Sequence, residues 1–575
     1  MNMRTDKFKL EVIRNALEMI AEELTLTIIR TGYSNIVRDS LDFSTAICDK
    51  QGRTLAQGLC TPMHMGAFED ALALLIQKES HSLQDGDVFI MNDPYEAAGQ
   101  HLPDIYVVKP IYYESKLHGW AATLAHHSDV GGIVAGSNAL GATEIWQEGI
   151  RIPILKLYEA ERRNDTLIDI LKLNVRTPQW VIGDLEAQVA ACHTADKSFK
   201  QLFDRYGASD LEQAFEDLHD YAQALIEAEL QEMPDGVYRF TDHIDGIGDN
   251  PQPVTLTVEI TIKGNRIKVD WQGTSAQVDG GINSPFPFSK ACAYAAIRSV
   301  MASDIPNCHG YTRAIEVQAP EGTIVRPLSP AACGARGITG YRQIDCLFGA
   351  LSHALPEKVA ADSSGGSTLP TISMYVNGKA MIFCETLMGT NGGTILSDGQ
   401  EGVAHIGANQ SNVPVEMIEQ TYPIRIEEYG YVADSGGPGR HRGGMAIRRT
   451  YRFLSDKATL NVRSDKRKYP PHGLFGGSDG KPSMSILRRA NGEEEVLPVM
   501  LKEPIQVFKD DLFIHEMAGG GGYGPAHERS VDKVLKDVCL GNISLDSAKR
   551  DYKVAVDMND GQYEIDYSET FKMRS

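Results

Sequence analysis

The residues best suited to chemistry lie between positions 92 and 148. The motif HLPD places His101 and Asp104 three residues apart, and the proline between them stiffens a turn in which both side chains can point inward. A histidine pair follows at His126 and His127. Imidazole nitrogens and carboxylate oxygens together suit a divalent ion such as Zn²⁺, Mn²⁺ or Fe²⁺. The spacing therefore indicates a metal site, although a histidine pair beside glycines is also typical of a hydrogen-bonded core.

Two predicted strands would bring these side chains together. The run IYVVKPIYY that follows Asp104 is rich in β-branched and aromatic residues, and GWAATLA leads into the histidine pair as a second strand. Two neighbouring strands would place His101, Asp104 and one of the paired histidines at the same end of a sheet. The pattern leaves open whether that histidine is His126 or His127.

Further carboxylates could complete the site or serve as its base. Asp39 and Asp42 lie in the segment RDSLDFS after the first helix, where either could enter the site or simply pair with Arg38. Glu144 and Glu148 are four residues apart, so a helical turn would place both on one face. They are candidates for a general base, for partners of the metal-binding histidines, or for exposed charges.

Length and composition indicate a globular protein with several lobes. A chain of 575 residues predicts roughly two to four lobes, and 42% hydrophobic with 23% charged residues is an ordinary globular composition. The net charge of −21 argues against a general affinity for nucleic acid or an anionic membrane. The N-terminal segment has acids within its apolar pattern, so it predicts neither a signal peptide nor a membrane span. Nine cysteines without a CxxC pair favour a reducing, cytoplasmic setting.

The predicted fold class is α+β, with several lobes, mixed and antiparallel sheets, helical insertions and glycine-rich loops. The first helix carries one apolar stripe at intervals of three or four, made of Leu10, Ile13, Leu17, Ile20, Leu24 and Ile28. We expect an N-terminal metal-binding lobe over residues 1–232, a β-rich middle lobe over 233–385, a β-rich lobe with glycine loops over 386–530, and a small helical tail over 531–575. A hairpin is predicted from Phe43 to Leu59.

Three other segments carry predictions. His64 in PMHMGAF is interpreted as a helix cap rather than as a residue of the site. The segment GARGITGYRQID (334–345) is interpreted as irregular, because it is rich in glycine. The segment MAGGGGYGP (517–525) is interpreted as a flexible loop that could form a lid or contact another chain.

A series of motifs then identifies a resemblance. NDPY, HLPD, HHSDVGG, TEIWQEGIRIP, GDLEAQ, NVPVEMIE, DSGGPGRHRGG and GGGGYGP, in this order, resemble the hydantoinase B family, whose members also form the C-terminal part of 5-oxoprolinase and a subunit of ATP-dependent ketone carboxylases. The resemblance covers residues 7–556. It implies a cytoplasmic subunit that works with a hydantoinase A-type, ATP-binding chain in an α2β2 heterotetramer. The chain has no GxxxxGK[ST] phosphate loop, in keeping with ATP-Mg bound by that partner.

The resemblance also selects among the candidate ligands. Carried over residue by residue, it implies a divalent metal, Zn or else Mn or Fe, held by Asp42, His101, Asp104 and His126. The sequence departs from the family pattern at EAAGQ (96–100), where relatives often have a Gly-Gly-Thr sequence, and at MAGGGG, where TPGGGG is more usual. The first departure leaves the shape of the pocket, and therefore the substrate, open.

The reaction implied by the resemblance is ATP-dependent hydrolysis of a small cyclic amide, such as a lactam, a hydantoin or an oxoproline-like ring. ATP in the partner would phosphorylate the amide oxygen, metal-activated water would attack the carbon, and Glu144 or Glu148 would take the proton. The same ligands would serve a subunit of an acetophenone or acetone carboxylase-like enzyme, although chain length favours the hydrolase. A non-catalytic scaffold is a third interpretation, against which the intact ligand set argues.

Overall fold

The computed structural model describes residues 4–58, 61–302, 304–366, 368–559 and 561–575. The predicted end of the hairpin at Leu59 and the cysteine at position 60 lie outside the described residues. The helices are α1 (Lys7–Thr31), α2 (Asn35–Arg38), α3 (Ala67–Glu79), α4 (Asp165–Asn174), α5 (Pro178–Tyr206), α6 (Ala208–Glu232), α7 (Phe286–Ser299), α8 (His309–Thr312), α9 (Gly337–Ala354), α10 (Val415–Thr421), α11 (Val531–Cys539), α12 (Leu545–Arg550) and α13 (Tyr567–Arg574). Within the described ranges, no helix combines the length and the apolar character needed to cross a lipid bilayer.

Runs of consecutive strands are separated by helices, and most strand pairs are antiparallel, which confirms the α+β class. They are β1 (Phe43–Asp49), β2 (Thr54–Gln57), β3 (Val88–Met91), β4 (Asp104–Tyr113), β5 (Lys116–His126), β6 (Leu155–Glu159), β7 (Arg162–Arg163), β8 (Gly236–Ile244), β9 (Val254–Lys263), β10 (Arg266–Asp270), β11 (Ile315–Gln318), β12 (Leu369–Val376), β13 (Lys379–Cys384), β14 (Gly389–Thr390), β15 (Glu401–Val403), β16 (Ile424–Tyr431), β17 (Ile447–Phe453), β18 (Lys457–Arg463), β19 (Met484–Arg488), β20 (Glu494–Val496), β21 (Ile505–Phe508), β22 (Leu512–Glu516), β23 (Val556–Asn559) and β24 (Gln562–Ile565).

The N-terminal region is built around a seven-stranded sheet of order β2-β1-β5-β4-β3-β6-β7. Successive side chains of a strand point to opposite faces, so Ile105 and Val107 of β4 pack into the core that contains α1 and α5. Tyr106 and Val108 pack on the other side with α3. Because both faces are covered, the strand is apolar almost throughout.

Helix α1 has the predicted buried face. The side chain of Asp6 accepts hydrogen bonds from the backbone N–H groups of Phe8 and Lys9, and the helix ends at its C-cap residue Gly32. Every residue of the predicted apolar stripe is buried. This helix therefore fixes the start of β1, where Asp42 lies.

The middle region holds a four-stranded sheet of order β11-β10-β9-β8. Strands β10 and β11 are parallel and the other pairs are antiparallel, so the sheet is mixed as expected. Helix α9 covers it, and the prediction of an irregular segment at 334–345 is wrong. Glycines inside α9 allow close packing, because a Cβ at Gly340 would lie 2.5 Å from the ring of Phe288 and one at Gly349 would lie 2.4 Å from the ring of Phe240.

Two further sheets form the C-terminal region, with orders β13-β12-β18-β21 and β16-β17-β22-β19-β20. The predicted lobe boundary between residues 385 and 386 falls between β12 and β18, which pair along their length. The end of β18 carries Arg463 into the interior, where this region meets the N-terminal one.

The four-glycine run near the C-terminus is buried and fully hydrogen-bonded, so the interpretation as a flexible lid is wrong. The N–H groups of Gly519, Gly520, Gly521 and Gly522 donate to carbonyl oxygens of three separate segments at 2.8–2.9 Å. Cβ atoms at Gly519 and Gly521 would lie only 1.8 and 2.0 Å from backbone oxygens. Glycine is required here by close packing of backbone against backbone.

Candidate metal centre

Two paired strands bring three of the candidate ligands together. Strands β4 and β5 are antiparallel, and Asp104 lies directly opposite His126 at the end of the pair. His101 precedes β4 in the turn that the proline stiffens, and the Asp104 N–H donates to its carbonyl oxygen at 3.0 Å. The three side chains therefore lie at the same end of this strand pair, where the strand pattern of the sequence predicts them.

The structure distinguishes between the remaining candidate ligands, which are the two aspartates after the first helix and the two paired histidines. Asp42 lines the same cavity as His101 and His126, and its carbonyl oxygen accepts a hydrogen bond from the N–H of His126. Asp39 instead pairs with Arg38 near the surface. His127 bonds through Nε2 to Gln188 on α5 at 3.0 Å.

We call Asp42, His101, Asp104 and His126 the ligand quartet. Nε2 of His101 lies 3.2 Å from Oδ1 of Asp104, and the rings of His101 and His126 have centroids 5.0 Å apart. His101 Nε2, Asp104 Oδ1 and His126 Nδ1 are all buried without a hydrogen-bond partner. Buried polar atoms are nearly always paired, so these three atoms indicate a ligand that the chain itself does not supply.

The electrostatics of the quartet suit a cation. Burial, reinforced by the Asp104 carboxylate, raises the pKa of Asp42 to about 7. Burial lowers the pKa of both His101 and His126, so both imidazoles are neutral and offer lone pairs. Burial opposes ionisation of Asp104, but the Arg336 guanidinium and His101 hold the pKa of that carboxyl well below its usual range.

The two candidate base residues occupy different environments. Glu144 is exposed and caps the short 3-10 helix Ile145–Gln147. Glu148 is completely buried, and burial raises its pKa to about 8. They do not share one helical face towards the cavity.

Glu148 is connected to the quartet through a single residue, Gly334. Its Oε1 accepts a hydrogen bond from the N–H of Gly334 at 2.5 Å. The carbonyl oxygen of Gly334 lies 2.9 Å from Nδ1 of His101, which fixes the tautomer that leaves Nε2 as the lone-pair atom. A Cβ at Gly334 would lie 2.9 Å from Glu148 Oε1, so glycine permits this contact.

Several cavity residues were missed by the sequence analysis. His64 lines the cavity, with Nδ1 2.8 Å from Ser44 Oγ, and Nε2 lies 3.9 Å from Asp104; the helix-cap interpretation is wrong. Burial lowers the pKa of His64 to about 4. Arg336 forms an ion pair with Asp104 and lies 4.2 Å from the ring centroid of Phe288. The remaining polar lining comes from Thr61, Tyr341, Thr386, Gln410 and Arg463. Only spatial proximity relates these positions to HLPD.

A second buried cluster has a tighter set of ligand atoms. Among the described residues, Asp242, Asp362 and His472 each offer one atom within 4.8 Å of the others, and no three members of the quartet do so. Asp242 already pairs with Arg342 at 3.2 Å, and Asp362 pairs with Lys466 at 2.6 Å. Because internal cations neutralise both carboxylates, this cluster does not need an external ion.

The comparisons with known proteins agree with the fold and the motifs. The family model described as hydantoinase B/oxoprolinase matches residues 6–526, and the chain belongs to this family. A Pseudomonas protein provisionally named as the B-type subunit of a D-/L-hydantoinase is 32% identical over 590 residues, covering 99% of this chain and 98% of the relative.

Two solved structures share the whole fold. The ATP-dependent caprolactamase from Pseudomonas jessenii has a TM-score of 0.93 and 28% identity, covering 99% of this chain and 100% of the other. A nucleotide-free acetone carboxylase has a TM-score of 0.92 with 19% identity, covering 98% of this chain and 82% of the other. The second likeness concerns the fold alone.

Proposed function

We propose that this chain is the B-type subunit of an ATP-dependent hydrolase of small cyclic amides, which works with a hydantoinase A-type partner that binds ATP-Mg. The observation that carries the proposal is a group of buried ligand atoms without hydrogen-bond partners, on His101, Asp104 and His126. His101 and His126 line one cavity together with Asp42. Their residue types fit a divalent ion, Zn or else Mn or Fe. Membership of the hydantoinase B family and the full-length likeness to caprolactamase support the reaction class.

The ligand quartet would hold the ion, with His101 and His126 as neutral nitrogen donors and the two aspartates as oxygen donors. A divalent ion held there would supply Lewis-acid activation of water near neutral pH. Glu148 would act as a positioning residue, because it reaches His101 only through the backbone N–H and carbonyl groups of Gly334. Glu144 receives no role in the chemistry, since it is exposed and engaged in a helix cap.

The division of labour between the two chains follows from the chemistry of amides. An amide carbon is a poor electrophile, and transfer of the γ-phosphoryl group of ATP to its oxygen in the partner removes the resonance that protects it. In this chain the cavity residues would orient the activated carbon towards water. Water adds, the ring C–N bond breaks, and further hydrolysis releases phosphate, which leaves an open-chain amino acid or N-carbamoyl amino acid.

The test is co-expression with the A-type partner of the same genome and measurement of ADP release. The substrate panel contains lactams, hydantoins, 5-oxoproline and simple ketones, each with and without bicarbonate. We expect cyclic-amide-dependent ADP release that bicarbonate does not change. Ketone-dependent and bicarbonate-dependent turnover would instead assign a carboxylase subunit, and a metal-free chain without any stimulated turnover would assign a scaffold.

A further inference from the structure

Arg463 is a buried arginine without a carboxylate partner. It lies at the end of β18, its residue is 7% exposed, and it lines the same cavity as Asp42, His101 and His126. Its Nη1 reaches Asn138 Oδ1 only at 3.5 Å, and its Nε has no hydrogen-bond partner. The other deeply buried arginines pair with acids: Arg336 with Asp104, Arg342 with Asp465, and Arg449 with Glu385.

The N-terminus of α9 lies against this guanidinium. Gly337 is the first residue of the helix and lines the cavity, and no side chain caps this end. A Cβ at Gly337 would lie 3.0 Å from Nη1 of Arg463, so the glycine lets the arginine approach the first turn. A helix N-terminus carries partial positive charge and binds anions. Two positive groups side by side in the wall of one cavity indicate that this wall faces an anion.

Gln410 contributes a third unsatisfied group to the same cavity. The residue is 7% exposed, and neither its Nε2 nor its Oε1 has a hydrogen-bond partner. A buried amide without partners is destabilising. Its NH₂ group could donate to an oxyanion, and its carbonyl oxygen could accept from a protonated one.

Size and charge limit what this wall can bind. The cavity has a volume of about 40 Å³, which is room for about three water molecules and comparable to one tetrahedral oxyanion. Asp42 and Asp104 at most offset Arg336 and Arg463, so a divalent ion in the quartet would leave an excess of positive charge. A dianionic group would restore neutrality.

From these observations we infer that Arg463, the N-terminus of α9 and Gln410 form an oxyanion subsite that binds the phosphoryl group of the activated substrate. The inference rests on the proposed function and deepens it, because the group recognised opposite the quartet is the phosphoryl group rather than the neutral ring. The phosphoryl group would then lie in the cavity that Asp42, His101 and His126 also line.

Inorganic phosphate is the probe for this subsite. Titration calorimetry and thermal unfolding of the full chain, with bound divalent metal and at constant ionic strength, should show saturable binding of phosphate. Charge-assisted hydrogen bonds of this kind predict that Arg463→Met weakens phosphate binding by about 10- to 100-fold. Arg452→Met, which removes the same charge from a surface pair with Glu427, should leave phosphate binding unchanged.

A second variant decides the matter if Arg463→Met does not fold. Gln410→Glu places a carboxylate in the cavity, so it should raise the melting temperature and abolish the effect of phosphate. Equal phosphate binding by the wild type and both variants would overturn the inference, as would the absence of phosphate binding to the wild type. Equal protection by acetate would assign the subsite to a carboxylate and overturn the phosphoryl assignment.

The two proposals fail in different ways. Phosphate binding needs neither ATP nor the partner, so binding that depends on Arg463 would stand even if no cyclic amide stimulated ADP release. Conversely, cyclic-amide turnover with unchanged KM and kcat in Arg463→Met would remove the subsite and leave the proposed function intact.

Discussion

Two buried polar clusters of this chain differ in how their charges are satisfied. In the ligand quartet, buried ligand atoms of His101, Asp104 and His126 have no hydrogen-bond partner in the chain. In the second cluster, Lys466 Nζ lies 2.6 Å from both Asp345 and Asp362, and Arg342 pairs with Asp242. The second cluster has the tighter set of ligand atoms, but only the first has unsatisfied ones.

The contrast shows that proximity of ligand atoms is a weaker guide to a binding site than unsatisfied hydrogen-bonding capacity. Burial of a polar atom costs free energy unless it gains a partner. In the second cluster, the lysine and the arginine of the chain itself offset the free-energy cost of burying the carboxylates. The same ion pairs link segments that are distant in sequence. In the ligand quartet, polar atoms are buried without hydrogen-bond partners, so a bound ligand must offset the cost. A metal ion does this in a metal site.

The largest effect is expected from removing one member of the ligand quartet. His101→Ala should abolish detectable metal and reduce turnover by at least about 10³-fold, because the activated water is lost, while thermal unfolding remains cooperative. Metal analysis of the purified chain and steady-state assays measure both. The matched control is His472→Ala in the second cluster, which should keep metal and turnover. Loss of metal in the control but not in His101→Ala would reverse the assignment.

A substitution in the second cluster should change the stability of the protein rather than its metal content. Lys466→Met leaves Asp345 and Asp362 without their shared cation, so it should lower the free energy of unfolding by about 3–5 kcal/mol. Urea denaturation measures the change, and the folded fraction should retain its full metal content. Lys468→Met, two residues away and exposed, should change the stability by no more than about 0.5 kcal/mol. A similarly small change in Lys466→Met would show that the cluster is not internally balanced.

A smaller effect is expected from Glu148, which reaches the quartet through Gly334. Glu148→Ala removes the acceptor for the Gly334 N–H and so loosens the carbonyl that orients His101; metal affinity should fall by about 10- to 100-fold. Glu148→Gln keeps an oxygen acceptor at the same place and should remain close to the wild type. Competition with a fluorescent chelator measures both affinities, and identical values for Ala and Gln would remove the positioning role.

The last prediction concerns pH. Because burial raises the pKa of Glu148 to about 8 from its ordinary value of 4.5, the folded chain keeps a proton that the unfolded chain releases. The folded state therefore binds more protons between these values, and stability falls as the pH rises through that window. Glu148→Gln should show a shallower decline of the free energy of unfolding from pH 5 to pH 8, roughly the range between the two pKa values. Parallel curves for the two proteins would contradict a buried, protonated Glu148.

Much of the site was accessible from sequence because its first ligands are close in the chain. The turn at His101 and the two strands follow from local periodicity and from proline, whereas the family resemblance was needed to select Asp42 and His126. Arg336, Gln410 and Arg463 follow from neither, because nothing in their neighbourhoods distinguishes a cavity residue from a surface one. The glycine-rich segments were wrongly predicted to be irregular or flexible. The glycines of α9 lie in a regular helix, and Gly519 to Gly522 lie in a tightly packed interior. In both places glycine provides close contact rather than freedom of movement.

The cavity wall joins residues from remote parts of the chain, such as Asp42, Gly337 and Arg463. During synthesis the ribosome delivers all four ligands of the quartet long before it delivers the arginine that faces them. An early ion would meet an open, acidic edge of a sheet, whereas a late one would meet a closed chamber with a basic wall. An ion captured early would therefore be selected by the quartet alone, whereas a late one would also be selected by the wall.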